Sequence, residues 1–180
     1  MWLSDRLPAQ MKHAEAHQFC LAHLIRNAQF AIDHGDTIFA PGFKALLKEA
    51  CAVGRRRGDL ADATIAAHRR RLERELERLL ALKPTDAEGR KLRDAVYVDC
   101  RGKLFVFLKR RDVEPTNNES ERALRPSVIF RKVTNGFRSL WGAKAYADLR
   151  SIVETGRRNG RSAFIAIRAA LTARSEPMIA

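Results

Sequence analysis

No run of apolar residues in this sequence approaches the roughly 20 that a helix needs to cross a bilayer. Acidic residues are also in deficit: 21 Asp and Glu stand against 34 Lys and Arg, for a formal net charge of +13 and a pI near 10.5. Such a balance favours polyanionic partners, nucleic acid first and a basic membrane-surface role as the competing explanation. Cysteine is scarce as well. Cys20, Cys51 and Cys100 are widely spaced and odd in number, which speaks against a disulfide framework and for reduced thiols in a cytoplasmic setting. The opening MWLSDRLPAQ has no apolar h-region, so no secretory signal is expected, and no internal repeat is present. Hydrophobic residues, by contrast, make up 46% of the 180, enough for one domain with a real core.

The chemistry is concentrated between Thr116 and Lys132, TNNESERALRPSVIFRK, where two amides, two carboxylates and four cations lie close together. Asn118 can cap a helix through its side-chain oxygen, with Glu121 at the capping-box position three residues on. Pro126 is expected to stop that helix after two turns at most. Glu121 and Arg125 are four apart and share a helix face. A carboxylate beside clustered cations suits a divalent metal and a phosphate; the spacing alone equally describes a capped helix start with a surface ion pair.

The pattern NNxxERALRP followed by RK resembles the C-terminal signature of the insertion-sequence-66 transposase family, DNA-cutting enzymes with an Asp-Asp-Glu triad on a ribonuclease-H-like core. The resemblance makes Glu121 the third metal ligand of that triad, with Asn117 and Asn118 as motif residues. Near the start, MWLSDR reads as the tail of a short strand delivering Asp5 at its end. By itself Asp5 is an ordinary turn or cap residue ahead of Pro8. A strand ending in SD and followed by HQFCLAHLIR, however, resembles the family segment that carries the second catalytic aspartate, which assigns Asp5 as the second metal ligand.

Between these motifs the chain reads as helical. Phe19, Leu21, Leu24, Ile25 and Ala28 recur at helical spacing and predict a helix over Ala14 to Ile32. Cys20 and His23, three apart on it, could form half of a zinc site, but no second pair at ligand spacing is evident, which favours packing or a local hydrogen bond. The CLAH segment also resembles the family's Cys-x-x-His element. A turn-rich connection over Asp33 to Gly42 leads to a helix over Lys44 to Val53, then a basic break, GRRRG. Leu72, Leu76, Leu79 and Leu80 form one stripe of a helix over Leu60 to Leu82 whose Arg and Glu alternation reads as a solvated, internally paired face. KLFVFL could be a buried strand; the family resemblance favours a helix restarting around Gly102. Past the central stretch, Asn135-Gly136 marks a turn. Helices are predicted over Trp141 to Arg157, with Tyr146, Leu149, Ile152 and Val153 inside, and over Ser162 to Ala173, before a frayed tail.

The fold expected from the resemblance is mainly α. It is the C-terminal part of a ribonuclease-H-like transposase core with a helical insertion, lacking the first sheet strands. Residues 1–43 carry the second Asp and the CxxH helix, 44–111 the helical insertion, 112–174 the Glu motif, and 175–180 the tail. The implied activity is two-metal phosphodiester cleavage and strand transfer in DNA transposition, with Mg2+ held by Asp5 and Glu121. Arg122, Arg125, Arg131, Lys132 and Arg138 are the phosphate-contact candidates. Partners are DNA, at element ends and target, and a second copy or an intact transposase; no membrane association is expected, and a DNA-bound chain would be nucleoid-associated. Because a full family member has a longer N-terminal part bearing the first aspartate, weak Mg2+ binding and no catalysis by this chain alone are expected. Two other classes stay open: a non-enzymatic basic DNA-binding protein in which Glu121 only caps, and a helical interaction module whose charge serves solubility.

Overall fold

Trp2–Ser4 forms a short strand, β1, paired in parallel with β2, His17–Phe19, in the register Trp2 to His17, Leu3 to Gln18 and Ser4 to Phe19. The structure, a computed structural model, describes residues 1–5 and 16–172. Two three-residue strands are too short to be stable on their own. Gln18 supplies what they lack: its buried amide donates to the carbonyls of Phe19 (2.7 Å) and Leu104 (2.8 Å) and accepts from the N–H groups of Val106 (2.8 Å) and Phe107 (3.2 Å). Those four bonds use the full capacity of the side chain, so nothing polar on it is left unpaired inside.

β2 corrects the single helix expected from Ala14 to Ile32, whose first two residues lie outside the described ones. Helix α1 covers only Leu21–Asp33. A helix buries one face, whereas His17, Gln18 and Phe19 are buried in succession, a pattern that suits a strand enclosed on both sides.

Helix α2, Ala40–Arg56, starts earlier and ends later than the residues suggest. Asp36, buried ahead of it, accepts from the N–H groups of Ile38 (3.0 Å), Phe39 (3.3 Å) and Ala40 (2.7 Å) and so satisfies the open donors of the first turn. Gly54 is not a break but a point of close approach inside the helix, where a Cβ would meet Phe107 Cε2 at 2.9 Å and Pro115 Cγ at 3.2 Å. Helix α3, Asp62–Leu80, buries the expected stripe of Leu72, Leu76, Leu79 and Leu80 together with Ile65. Its outer face pairs Arg69 with Glu73 (2.8 Å), Arg78 with Glu75 (3.1 Å), Arg71 with Glu49 and Glu77 with Arg101. Exposed pairs of this kind contribute at most about 1 kcal/mol each, against roughly 1.5–3 kcal/mol for each buried leucine. The leucines, not the charges, hold α3 in place.

Helix α4, Ala87–Ala95, is capped by Asp86, whose side chain accepts from the N–H groups of Gly89 and Glu88. Those bonds, Gly89's foremost, hold the Asp86 carboxyl below its ordinary range. α4 runs on into one wide π-type turn, Val96–Cys100. No helix restarts at Gly102: residues 101–105 are turns and bends, followed by a single 3-10 turn, Val106–Leu108. The backbone of KLFVFL is committed elsewhere, since Lys103 and Leu104 carbonyls and Val106 and Phe107 N–H groups bond to Phe19 and Gln18. Phe19, Phe39, Phe43, Leu47, Leu76 and Phe107 lie in the resulting single core.

The chain divides into two compact units, Met1–Glu119 and Ser120–Ala180. Helix α5, Asn118–Val133, begins in the first and runs on into the second, straight through Pro126. The proline removes the hydrogen bond to the Arg122 carbonyl without ending the helix, and its exposed position leaves that carbonyl to water. Helices α6, Leu140–Arg158, and α7, Ala163–Thr172, follow. Asn135 and Gly136 both take positive φ, 56° and 96°, as an Asn-Gly turn requires. The rings of Phe130, Phe137 and Tyr146 pack around this turn with centroids 4.8 to 5.2 Å apart. α6 and α7 meet at Gly156, where a Cβ would overlap Ala166. The inner face expected of α6 is incomplete: Tyr146, Ile152 and Val153 are half-buried and Leu149 is exposed.

Candidate active site

Cys20 lies between β2 and α1, and two stretches that are distant in sequence meet on it. Its N–H donates to the Ser4 carbonyl at 2.8 Å, next to Asp5, and its Sγ accepts from the Asn117 N–H at 3.4 Å. The N–H of Leu21 donates to the Pro115 carbonyl at 3.0 Å. The end of β1 and the segment leading into α5 are thus fastened to the same two residues. Asp5 follows the first directly, and Glu121 lies on α5, four residues past Asn117.

The strand end has a second support. Ser4 is buried; its hydroxyl donates to the Asp5 carbonyl at 2.7 Å and lies 2.8 Å from His17 Nε2. With the hydroxyl proton committed to Asp5, Nε2 must be the donor, which assigns the neutral Nε2–H tautomer. Nδ1 is buried without a partner, so a second ring proton would be unpaired. Burial, with the positive charge of Lys103, lowers the His17 pKa from its ordinary 6.5. Asp5 itself is half-buried.

At the other stretch, α5 begins at Asn118, so Asn117 rather than Asn118 occupies the position before the helix. The Oδ1 of Asn117 is buried without a hydrogen-bond partner. Glu121 is half-buried. Arg125 forms no ion pair among the described residues, so the Glu121 to Arg125 surface pair suggested by the spacing is absent. Arg122, Arg131, Lys132 and Arg138 are likewise exposed and have no carboxylate partner among the described residues. The thiols of Cys20, Cys51 and Cys100 are free and buried, and burial raises the pKa of Cys51. His23 is half-buried.

Ser4, His17 and Gln18, which shape the strand end and its surroundings, were not evident among the candidate residues. The only local signal was the adjacency of Ser4 to Asp5. Their partners lie far along the chain or on a neighbouring strand, beyond the reach of spacing rules.

Comparison with known families gives a match to a family of DNA-mobilising enzymes: the profile described as Transposase IS66 family covers residues 2–145. The chain belongs to the IS66 transposase family. Membership implies a transposase role, DNA as partner and use of a divalent metal in general. No curated protein and no solved structure matches the chain. Among the described residues no helix is long and apolar enough to cross a membrane.

Proposed function

We propose that this chain contributes two carboxylates, Asp5 and Glu121, to a ribonuclease-H-like transposase site that cuts and rejoins DNA at the ends of an insertion sequence. The observation that carries this reading is the junction at Cys20 and Leu21, which ties the backbone beside Asp5 to the segment that starts α5. Carboxylate oxygens are the hard donors that magnesium prefers, so the donor set fits that ion. Bound there, a pair of magnesium ions would activate the attacking water or 3'-hydroxyl and stabilise the leaving oxygen. Ser4 and His17 fix the strand end from which Asp5 projects. Arg122, Arg125, Arg131, Lys132 and Arg138 hold the phosphate backbone, which makes affinity salt-dependent without conferring sequence specificity.

In this scheme residues 44–111 are the helical insertion separating the two ligands, and 112–174 the C-terminal catalytic segment. Two carboxylates alone hold divalent ions weakly, so Asp5 and Glu121 by themselves bind Mg2+ poorly, and the chain alone does not cleave DNA until a further ligand joins them. The test is Mn2+ binding followed by electron paramagnetic resonance. One weak site is expected, lost in both Asp5→Asn and Glu121→Gln while salt-dependent DNA binding persists. Unchanged Mn2+ binding in both variants would leave a basic DNA-binding protein in which Glu121 has no metal role. Mg2+-dependent nicking by the chain alone would overturn the expected inactivity.

A further inference from the structure

Between Arg122 and Ala147 the chain has six cations, Arg122, Arg125, Arg131, Lys132, Arg138 and Lys144, and no acidic residue at all. The same stretch contains four aromatic side chains with two different fates. Phe130, Phe137 and Tyr146 pack on one another around the Asn135-Gly136 turn. Trp141 takes no part in that cluster and is 80% exposed, next to Leu140 at 91%. The two side chains together present a large apolar surface to solvent beside the cations.

The backbone on either side of Trp141 is tied by side-chain hydrogen bonds. The Thr134 hydroxyl donates to the Phe130 carbonyl at 2.8 Å with the Gly136 carbonyl 3.2 Å away, and Ser139 Oγ accepts from the Gly142 N–H at 3.1 Å, capping the helix on whose first turn Trp141 sits. Lys144 lies one turn further on the same face, in a long 3.4 Å contact with Asp148. Arg138, just ahead of the helix, has no acidic partner among the described residues.

We infer that Trp141 is a stacking platform for an unpaired DNA base, with Arg138, Arg131 and Lys132 holding the phosphates of the same strand. The inference rests on the DNA reading above and specifies which form of DNA this face takes. An indole ring needs the open face of a base, which a duplex hides within its stack and a single strand or frayed end presents. Leu140 beside it suits a wedge against the adjoining base pair. The excess of positive charge repels a second copy of the same face and attracts a polyanion.

The test uses a Trp2→Phe background, which leaves Trp141 as the sole tryptophan. A short single-stranded oligonucleotide should quench its fluorescence. In anisotropy titrations Trp141→Ala should weaken single-strand binding about tenfold and leave blunt-duplex binding unchanged, and Trp141→Phe should restore most of the affinity. Equal weakening on both DNA forms, or no quenching by the single strand, would overturn the assignment. So would a fluorescence change that follows protein concentration without DNA, or one produced by anionic vesicles and not by oligonucleotide. If neither oligonucleotide binds at low salt, the DNA reading itself fails along with this one. If both bind and Trp141→Ala changes nothing, the stacking role alone is refuted.

Discussion

The two units of this chain differ in charge balance and in how much apolar surface they bury. From Met1 to Glu119 there are 22 Lys and Arg against 17 Asp and Glu, and from Ser120 to Ala180 there are 12 against 4. In the first unit Arg57, Arg69, Arg71, Arg78, Arg101, Arg110 and Arg111 all have carboxylate partners. The core there is continuous from Phe19 to Val113. In the second unit only Gly156 and Ala166 are buried among the described residues, and Arg122, Arg125, Arg131, Lys132 and Arg138 have no carboxylate partner there. Internal neutralisation goes with a scaffold, whereas unspent charge over a thin core goes with a surface reserved for a polyanion.

The largest effect that could break this contrast is in the core. Leu76→Ala, at a side chain 1% exposed, should destabilise the first unit by about 2 to 5 kcal/mol. Leu140→Ala in the second should stay within about 0.5 kcal/mol. Urea unfolding of both variants decides, and similar destabilisation would mean that the second unit has a core after all. Next in size is Gly89→Ala, whose Cβ would overlap the Asp36 carboxylate that caps α2. Its expected cost is about 1 to 3 kcal/mol, read in the same experiment.

Charge gives a finer comparison. Replacing the unpaired Arg131 or Lys132 by alanine should lower the slope of log affinity against log salt for DNA by about one for each phosphate left without its cation. Arg71→Ala should change it less, because Arg71 is already paired with Glu49. The smallest expected effect comes from His17. Its folded pKa lies below the ordinary 6.5, so as pH falls the unfolded chain takes up a proton first. Stability contributed by the neutral ring should therefore be complete above that pH and decline below it, down to the folded pKa. His17→Gln should flatten thermal unfolding midpoints in that window.

How far the residues announced this arrangement varied with the range of the forces involved. The leucine stripe of α3 was plain, because helical periodicity is local. The strand ending at Ser4 and a helix starting near Asn118 were legible from the residues themselves, and the family motifs singled out Asp5 and Glu121 on them. Gln18 was not, because three of its four bonds reach partners 86 to 89 residues away. The same long-range bonds explain why KLFVFL is not a helix. Gly54 and Pro126 misled for a related reason, since both are poor helix residues by intrinsic propensity. Close packing against Phe107 and Pro115 retains the first within α2, and solvent access tolerates the second within α5. Asp36 could have been found, since an Asp shortly before a Pro at the first turn is a helix-start signal.

The central claim is that Asp5 and Glu121 serve one metal site although they are far apart in sequence. Its most direct test is to load the chain with Fe2+ in place of Mg2+, generate hydroxyl radicals with ascorbate and peroxide, and map the backbone cuts by mass spectrometry. The account predicts cuts beside both Asp5 and Glu121, and the disappearance of both together in Glu121→Gln. Cuts beside only one of them, or a Glu121→Gln variant that still cuts beside Asp5 undiminished, would contradict it.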